Sequence, residues 1–224
     1  MRQLSKEEKQ ARIAKNVAAI IDGDEFYSVI NLGVGIPTAA ADYITREGVY
    51  ILAENGMLGV GPAAPAGQAH PDLINASRQP VLETKGCFYC DSAMAFGMIR
   101  GGHVDATVLG AFEVDEGGDV ANWIIPGGKQ LGVGGAMDLV SGARRVIIAM
   151  THTSKTGSKL VKSCTLPVTA KGKVDLVVTE LGVFSFEDGG VVLKKIAPDA
   201  TLEEVKAATG LGFTPSEHLE VMVG

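Results

Sequence analysis

The sequence predicts an α/β fold, with a mainly parallel or mixed sheet flanked by helices and one domain spanning residues 1–224. Three observations predict it. The stretches 28–35, 104–114, 145–150 and 174–180 are near-continuous apolar runs, as in strands buried on both faces. Helix signals fall between many of these runs. The 29 glycines and 5% aromatic content fit many tight turns and close backbone contacts.

Taken in order, 5–21 predicts a helix: Ile13, Val17, Ile20 and Ile21 recur at helical spacing. Ser5 caps it, with Glu8 three residues on. The run 28–35 is a short buried strand ending in glycines, and Pro37 suits the first turn of a helix reaching about Arg46. The next strand is 49–53. The stretch 59–90, rich in Gly, Pro and Ala, predicts a long functional loop. Asp91 or Ser92 caps a helix ending near Arg100, closed by Gly101 and Gly102. A strand at 104–114, bent at Gly110, leads through a polar turn into a hairpin strand at 120–125. A second glycine cluster fills 126–140. Strands at 145–150, 174–180 and, more weakly, 191–196 follow, and Thr201 with Glu204 forms a capping box for a helix closed by Gly210.

Bulk properties bound the function. Lys plus Arg is 20 and Asp plus Glu is 26, a formal charge of -6 that matches nucleic-acid backbones poorly. No apolar run reaches membrane-spanning length, and no leader with a charged start and apolar core is visible. Three cysteines suit a reducing compartment. The expectation is a cytoplasmic protein that binds neither nucleic acid nor membrane.

The chemistry concentrates in ILAENGMLGVGP at 51–62, where an apolar strand delivers Glu54 to its tip and Asn55-Gly56 turns the chain sharply. Ligands in open α/β sheets gather at the carboxyl ends of strands. A carboxylate there is a nucleophile, a general base or a metal ligand, or else caps a helix or pairs with a lysine. Gly132, Gly134 and Gly135 form a second candidate, a loop whose N–H groups cradle a phosphate or oxyanion, or simply a tight loop. It matches neither the nucleotide P-loop nor the dinucleotide fingerprint. Lys155, in HTSKTGSK at 152–159, stands where an anionic ligand would meet a strand end. Cys87 and Cys90 have CxxC spacing without a second pair, so no metal site is expected. GxSxG is absent, and Trp123 reads as core.

Several longer stretches carry a family resemblance: NLGVGIPTAAADYI at 31–44, ENGMLGVGP at 54–62, RGGHVDATVLGAFEVDEGGDVANWIIPG at 100–127, GGAMDLVSGARRVIIAM at 134–150, and CTLPVTAKGKVDLVVTELGVF at 164–184. With these the chain resembles the B (beta) half of the 3-oxoacid CoA-transferase family, which includes acetoacetate, butyrate–acetoacetate and succinyl-CoA:3-ketoacid transferases. That family carries its catalytic glutamate in a Ser-Glu-Asn-Gly signature. Glu54-Asn55-Gly56 matches it, and Ala53 stands where serine is usual.

The resemblance implies that Glu54 is the nucleophile in a ping-pong transfer of CoA between an acyl-CoA and a short-chain acid or 3-oxoacid. It implies oxyanion or loop-positioning roles for Asn55, Gly56, Gly134 and Gly135, and a CoA-binding surface of Gly132, Gly134, Gly135, Ala136 and Lys155. No tightly bound cofactor is expected, since the CoA thioester is a substrate. The resemblance also implies that this is the beta half alone, joined by the alpha half of a CoA-transferase in a hetero-oligomer of A2B2 type. The alternative is a non-catalytic CoA-binding or structural subunit.

Overall fold

The computed structural model describes residues 4–128 and 132–224. Its first helix, α1 (Lys6–Asp22), starts where the sequence places it. The Glu8 N–H donates to Ser5 Oγ at 3.1 Å, and Glu8 Oε2 accepts from the Ser5 N–H at 2.7 Å, so two otherwise unpaired backbone donors are satisfied. Then come β1 (Val29–Leu32), α2 (Ile36–Ala39) running into a 3₁₀ turn (Ala40–Tyr43), β2 (Tyr50–Ala53), β3 (Met57–Ala63) and β4 (Val81–Tyr89). Next are α3 (Ser92–Arg100), β5 (Ala106–Leu109), β6 (Glu113–Asp115), β7 (Val120–Ala121), α4 (Ala136–Gly142) and β8 (Val146–Ala149). The short strands β9 (Thr153–Ser154), β10 (Gly157–Ser158) and β11 (Leu160–Val161) precede β12 (Leu176–Val178), β13 (Gly182–Glu187) and β14 (Gly190–Ile196). The chain ends with α5 (Leu202–Ala208) and β15 (Thr214–Val221).

Ten strands form one mixed sheet in the order β15-β14-β13-β12-β8-β5-β1-β2-β3-β4. Its centre, from β12 to β2, is parallel, while β3, β4 and β13 are antiparallel to their neighbours. Alternate residues of the central strands enter different cores, as the pleat requires. On one face Ile13, Val17 and Ile21 of α1 meet Ile30, Leu32, Ala106, Val108, Ile147 and Ala149. On the other, Ala95 and Ile99 of α3 and Leu139 and Val140 of α4 meet Leu52, Leu109, Val146, Ile148 and Val177. Burying each such Ile, Val or Leu stabilises by about 1.5–3 kcal/mol. The mixed sheet with helices on both faces is the fold class that the sequence predicts.

Several element expectations are corrected. The stretch 59–90, expected to be a loop, is a loop only over 64–80, and its two ends form the β3–β4 ribbon. Its glycines mark close strand approach at irregular pairing: a Cβ on Gly61 would lie 2.6 Å from Leu82 O, and one on Gly59 2.8 Å from Thr84 Oγ1. The helix expected to reach Arg46 stops sooner, because the Asp22 carboxylate draws the Thr45 and Arg46 N–H groups to the end of α1, at 2.9 and 3.2 Å. The strand expected at 104–114 is split, since β6 leaves the main sheet to pair with β7 and β11. The hairpin strand expected at 120–125 is only Val120–Ala121. Strands β13 and β15 were not expected. Strand β15, TPSEHLEV, is an exposed edge with no apolar period to announce it.

Candidate active site

Strands β8, β5, β1 and β2 are adjacent and parallel, so their carboxyl ends share one edge of the sheet. Glu54 is the first residue beyond β2 on that edge. The chain reverses at once: the Gly56 N–H donates to Ala53 O at 3.0 Å, and Met57 pairs back against Ala53. Gly56 has φ +124°, and a Cβ there would lie 2.0 Å from Cys90 O. Only glycine fits. The Cys90 N–H then donates to Gly56 O at 2.9 Å, tying the turn to the start of α3. Glu54 is half-buried and Asn55 exposed as the two central residues of this turn.

Two residues beneath Glu54 were not singled out from the sequence. Asn31, fully buried on β1, lies in register with Leu52 of β2 and Thr107 of β5. Its Nδ2 donates to Leu52 O at 3.0 Å and to Glu54 Oε2 at 3.2 Å. Its Oδ1 accepts from Thr107 Oγ1 at 3.0 Å. The amide orientation is forced, because a carbonyl and a carboxylate can only accept. Among the described residues, Glu54 Oε1 has no hydrogen-bond partner. The available signal was a lone carboxamide in the apolar strand VINL and a lone hydroxyl in ATVL.

The second glycine cluster meets Glu54 from the face that carries α3 and α4. Gly135 is the N-cap residue of α4. A Cβ on it would press on Phe96 Cζ at 3.1 Å and make an ordinary contact with Glu54 Cγ at 3.7 Å, so the missing side chain makes room for Phe96 beside the carboxylate arm. Gly132 and Gly134, at φ +79° and +53°, are exposed on the approach to α4. The Ala136 N–H is occupied, donating to Val133 O at 3.1 Å. Asp138 pairs with Arg100 at 2.7 Å, which joins α4 to α3. Residues 129–131 of the expected cluster lie outside the described residues.

Lys155 sits exposed at the tip of the β9–β10 hairpin. That hairpin leaves the same sheet edge after β8, three strand positions from β2, about 14 Å at ordinary strand spacing. Among the described residues no contact joins Lys155 to Glu54. Ala53 points to the opposite face, into a small apolar cluster with Met57, Val60 and Val81. The serine-to-alanine departure therefore does not touch the carboxylate. A cavity of about 270 Å³ lies on that opposite side, lined by Leu32, Ile51, Ala53, Val60 and Ser77 among others, and Glu54 does not line it.

Cys87 and Cys90 are unpaired and half-buried, and burial followed by the charge of Asp91 pushes the Cys90 thiol up, away from the reactive thiolate. Among the described residues, no group of three or more His, Cys, Asp or Glu is placed to hold a metal. No helix among them is long and apolar enough to cross a membrane.

Fold and site define the class: an α/β sheet protein that presents one carboxylate at the carboxyl edge of its parallel strands, against a glycine-started helix. Residues 10–208 match the model of the coenzyme A transferase family. The chain belongs to that family. It is 48% identical over 217 residues to the beta chain of the acetate CoA-transferase of Escherichia coli K12, covering 95% of this chain and 97% of that protein. It is 43% identical over 217 residues to the beta-type chain of the probable succinyl-CoA:3-ketoacid coenzyme A transferase of Bacillus subtilis, covering 96% and 98%. Among solved structures, an acyl-CoA transferase of E. coli O157:H7 superposes with a TM-score of 0.75 at 20% identity, a likeness of fold. There the match covers all of this chain and 45% of the other.

Proposed function

We propose that this chain is the catalytic beta subunit of a CoA-transferase that moves CoA between an acyl-CoA and a short-chain acid or 3-oxoacid through a covalent intermediate on Glu54. The observation that carries the reading is the Glu54 carboxylate itself: Asn31 holds one oxygen at 3.2 Å, while the other has no partner among the described residues. Oε1 attacks the acyl-CoA carbonyl, the C–S bond breaks, and a mixed acyl–glutamyl anhydride and CoA thiolate result. The thiolate attacks the glutamyl carbonyl, giving a Glu54–CoA thioester and the free acid. An incoming acid reverses both steps and leaves as the new acyl-CoA. The thioester energy is conserved, so no nucleotide is needed.

Each addition develops an oxyanion that needs preorganised donors. The N–H groups of Gly134 and Gly135 suit the substrate's oxyanion. The Gly56 N–H is committed to Ala53 O, so Gly56 and Asn55 position the turn instead. Gly132, Gly134, Gly135, Ala136 and Lys155 form the CoA-facing surface, with Lys155 toward the anionic end of the ligand. The relatives' names support acetate, succinate and 3-ketoacids as substrate types, and we add acetoacetate and butyrate. Both relatives are named as one subunit of a larger enzyme, which supports a CoA-transferase alpha subunit as partner in an A2B2 assembly. The main sheet draws strands from Val29 to Val221, which supports a single domain. We place the enzyme in the cytoplasm.

The test is Glu54→Gln in the co-purified complex. Turnover falls by more than about 10³-fold, as expected for loss of a covalent nucleophile. The wild type gives the parallel initial-rate lines of a ping-pong reaction. A Glu54→Gln complex with wild-type turnover would return the chain to a non-catalytic, CoA-binding role.

A further inference from the structure

Resting on the reading of Glu54 as nucleophile, we propose that the cavity on the α2 side of β1 and β2 holds the acyl tail of the substrate, and that it selects an uncharged tail, in acyl groups of about four to six carbons, over one that ends in a carboxylate. This narrows the substrate types above to those with uncharged tails. The cavity lies at the carboxyl edge that carries Glu54, between the ends of β1 and β2 and the 64–80 loop. Ala53 lines it, and Glu54 is the next residue, about 3.3 Å further along the chain. Glu54 itself faces the α3–α4 side, so the reacting carbon sits at the lip and the tail runs round the end of β2 into the cavity.

The lining is apolar and small. Leu32, Val60 and Val81 are buried and form the floor with Ile51. Ala39 of α2 and Ala76 of the loop close it with short side chains. An apolar cavity of about 150 Å³ already holds a benzene-sized ligand. At about 270 Å³ this one takes a short chain and not a long one.

The hydroxyls in its wall have nothing left to offer a charge. Thr38 Oγ1 donates to Gly33 O at 2.7 Å, so in its 2.9 Å contact with Ser77 the Ser77 hydroxyl is the donor. Both protons are spent, and the second bond pins the loop to α2, which preforms the cavity. Asn75 turns its Oδ1 to the loop itself, accepting the Ser77 and Gln79 N–H groups at 2.9 and 3.0 Å. Among the described residues that line the cavity, Asp42 alone carries a charge, and its sign repels a carboxylate. A terminal carboxylate drawn in here would have neither a cation nor a hydroxyl donor to replace its water.

The test offers the co-purified complex labelled acetate with acetyl-CoA, butyryl-CoA or succinyl-CoA, and measures labelled acetyl-CoA. In the wild type kcat/KM for butyryl-CoA is at least about 10-fold above that for acetyl-CoA, since each methylene in an apolar pocket is worth about 10–200-fold. Succinyl-CoA falls at least about 10²-fold below butyryl-CoA, because its charge is left unpaired. Ala39→Leu and Ala76→Leu fill the cavity from different walls. Each lowers the butyryl-to-acetyl ratio of kcat/KM at least about 10-fold, a change of preference that a general loss of stability would not give. A succinyl-CoA rate equal to that of butyryl-CoA, or an unmoved ratio in an assembled variant, overturns the proposal. Should one variant not assemble, the other decides, and should neither, the wild-type order of the three donors decides. If wild type forms no CoA adduct on Glu54 from any donor, the nucleophile reading fails. If the adduct forms but the preferences ignore both substitutions, only the acyl pocket fails.

Discussion

Two buried polar clusters lie on this sheet, and they differ in what they leave open. The first is Thr107–Asn31–Glu54 across β5, β1 and β2. The second gathers around His152, fully buried just beyond β8. His152 Nδ1 and Nε2 each lie 3.0 Å from a threonine hydroxyl, Thr179 and Thr209. Thr209 Oγ1 already donates to Val205 O at 2.6 Å, so Nε2 donates to Thr209, while the Thr179 hydroxyl on the Nδ1 side also lies 3.2 Å from Gly182 O. The His152 N–H donates to Glu180 Oε2 at 2.8 Å, and Glu180 Oε1 pairs with Lys9 at 3.2 Å. Both ring nitrogens are used, and the carboxylate is engaged at each oxygen. In the first cluster the chain of bonds ends at a carboxylate whose second oxygen has no partner among the described residues. Burial with every valence satisfied makes structure, whereas burial that stops one bond short makes a poised reagent.

The sharpest way to break this comparison is His152→Leu. It removes the ring that joins Thr179 to Thr209, although each hydroxyl keeps a backbone carbonyl, so stability falls by about 2 kcal/mol and Tm by roughly 4–8 °C. The yield of CoA adduct at 25 °C is unchanged. A lost adduct in a folded variant would make the second cluster part of the site.

Gly135→Ala probes the other side. Its backbone φ of -85° suits alanine, but the Cβ would press on Phe96 at 3.1 Å, and Phe96 must give way beside the Glu54 arm. Stability changes by less than about 1 kcal/mol, while kcat falls about 10-fold through misplacement of the carboxylate arm. Unchanged kcat would show that Gly135 is a plain helix start.

The smallest effect is in pH. Burial, partly offset by the charge of Glu180, lowers the His152 pKa from 6.5 to about 4. Between those values the unfolded chain binds a proton that the folded chain refuses, so stability falls as pH falls through that window. The contribution is about 1 kcal/mol between pH 7 and 5.5. Denaturant midpoints across that range measure it, and the His152→Leu complex lacks it. An identical pH slope in both would mean that another group carries the effect.

Much of the first cluster's setting was legible in the sequence, and little of its wiring. ENG after an apolar run located Glu54, and the glycines at 134 and 135 marked the helix start that packs on it. Capping chemistry located α1, α3 and α5, because Ser5, Asp91 and Thr201 act locally. Asn31 and Thr107 were illegible because their meaning is in register: neither is near Glu54 in sequence, and strand pairing alone brings them together. The β3–β4 ribbon was misread because Gly59 and Gly61 signal loop by composition, while here they let two strands approach closely. Lys155 shares an edge with Glu54 but not a contact, since strand order sets the distance between loops.

The most direct measurement is mass mapping of covalent CoA. The co-purified complex is incubated with acetoacetyl-CoA in the absence of an acceptor, then digested, and the peptides are searched for CoA. One borohydride-sensitive adduct on Glu54 is the expected result. An active complex with the adduct on a carboxylate of the partner chain, and none on Glu54, would contradict the account.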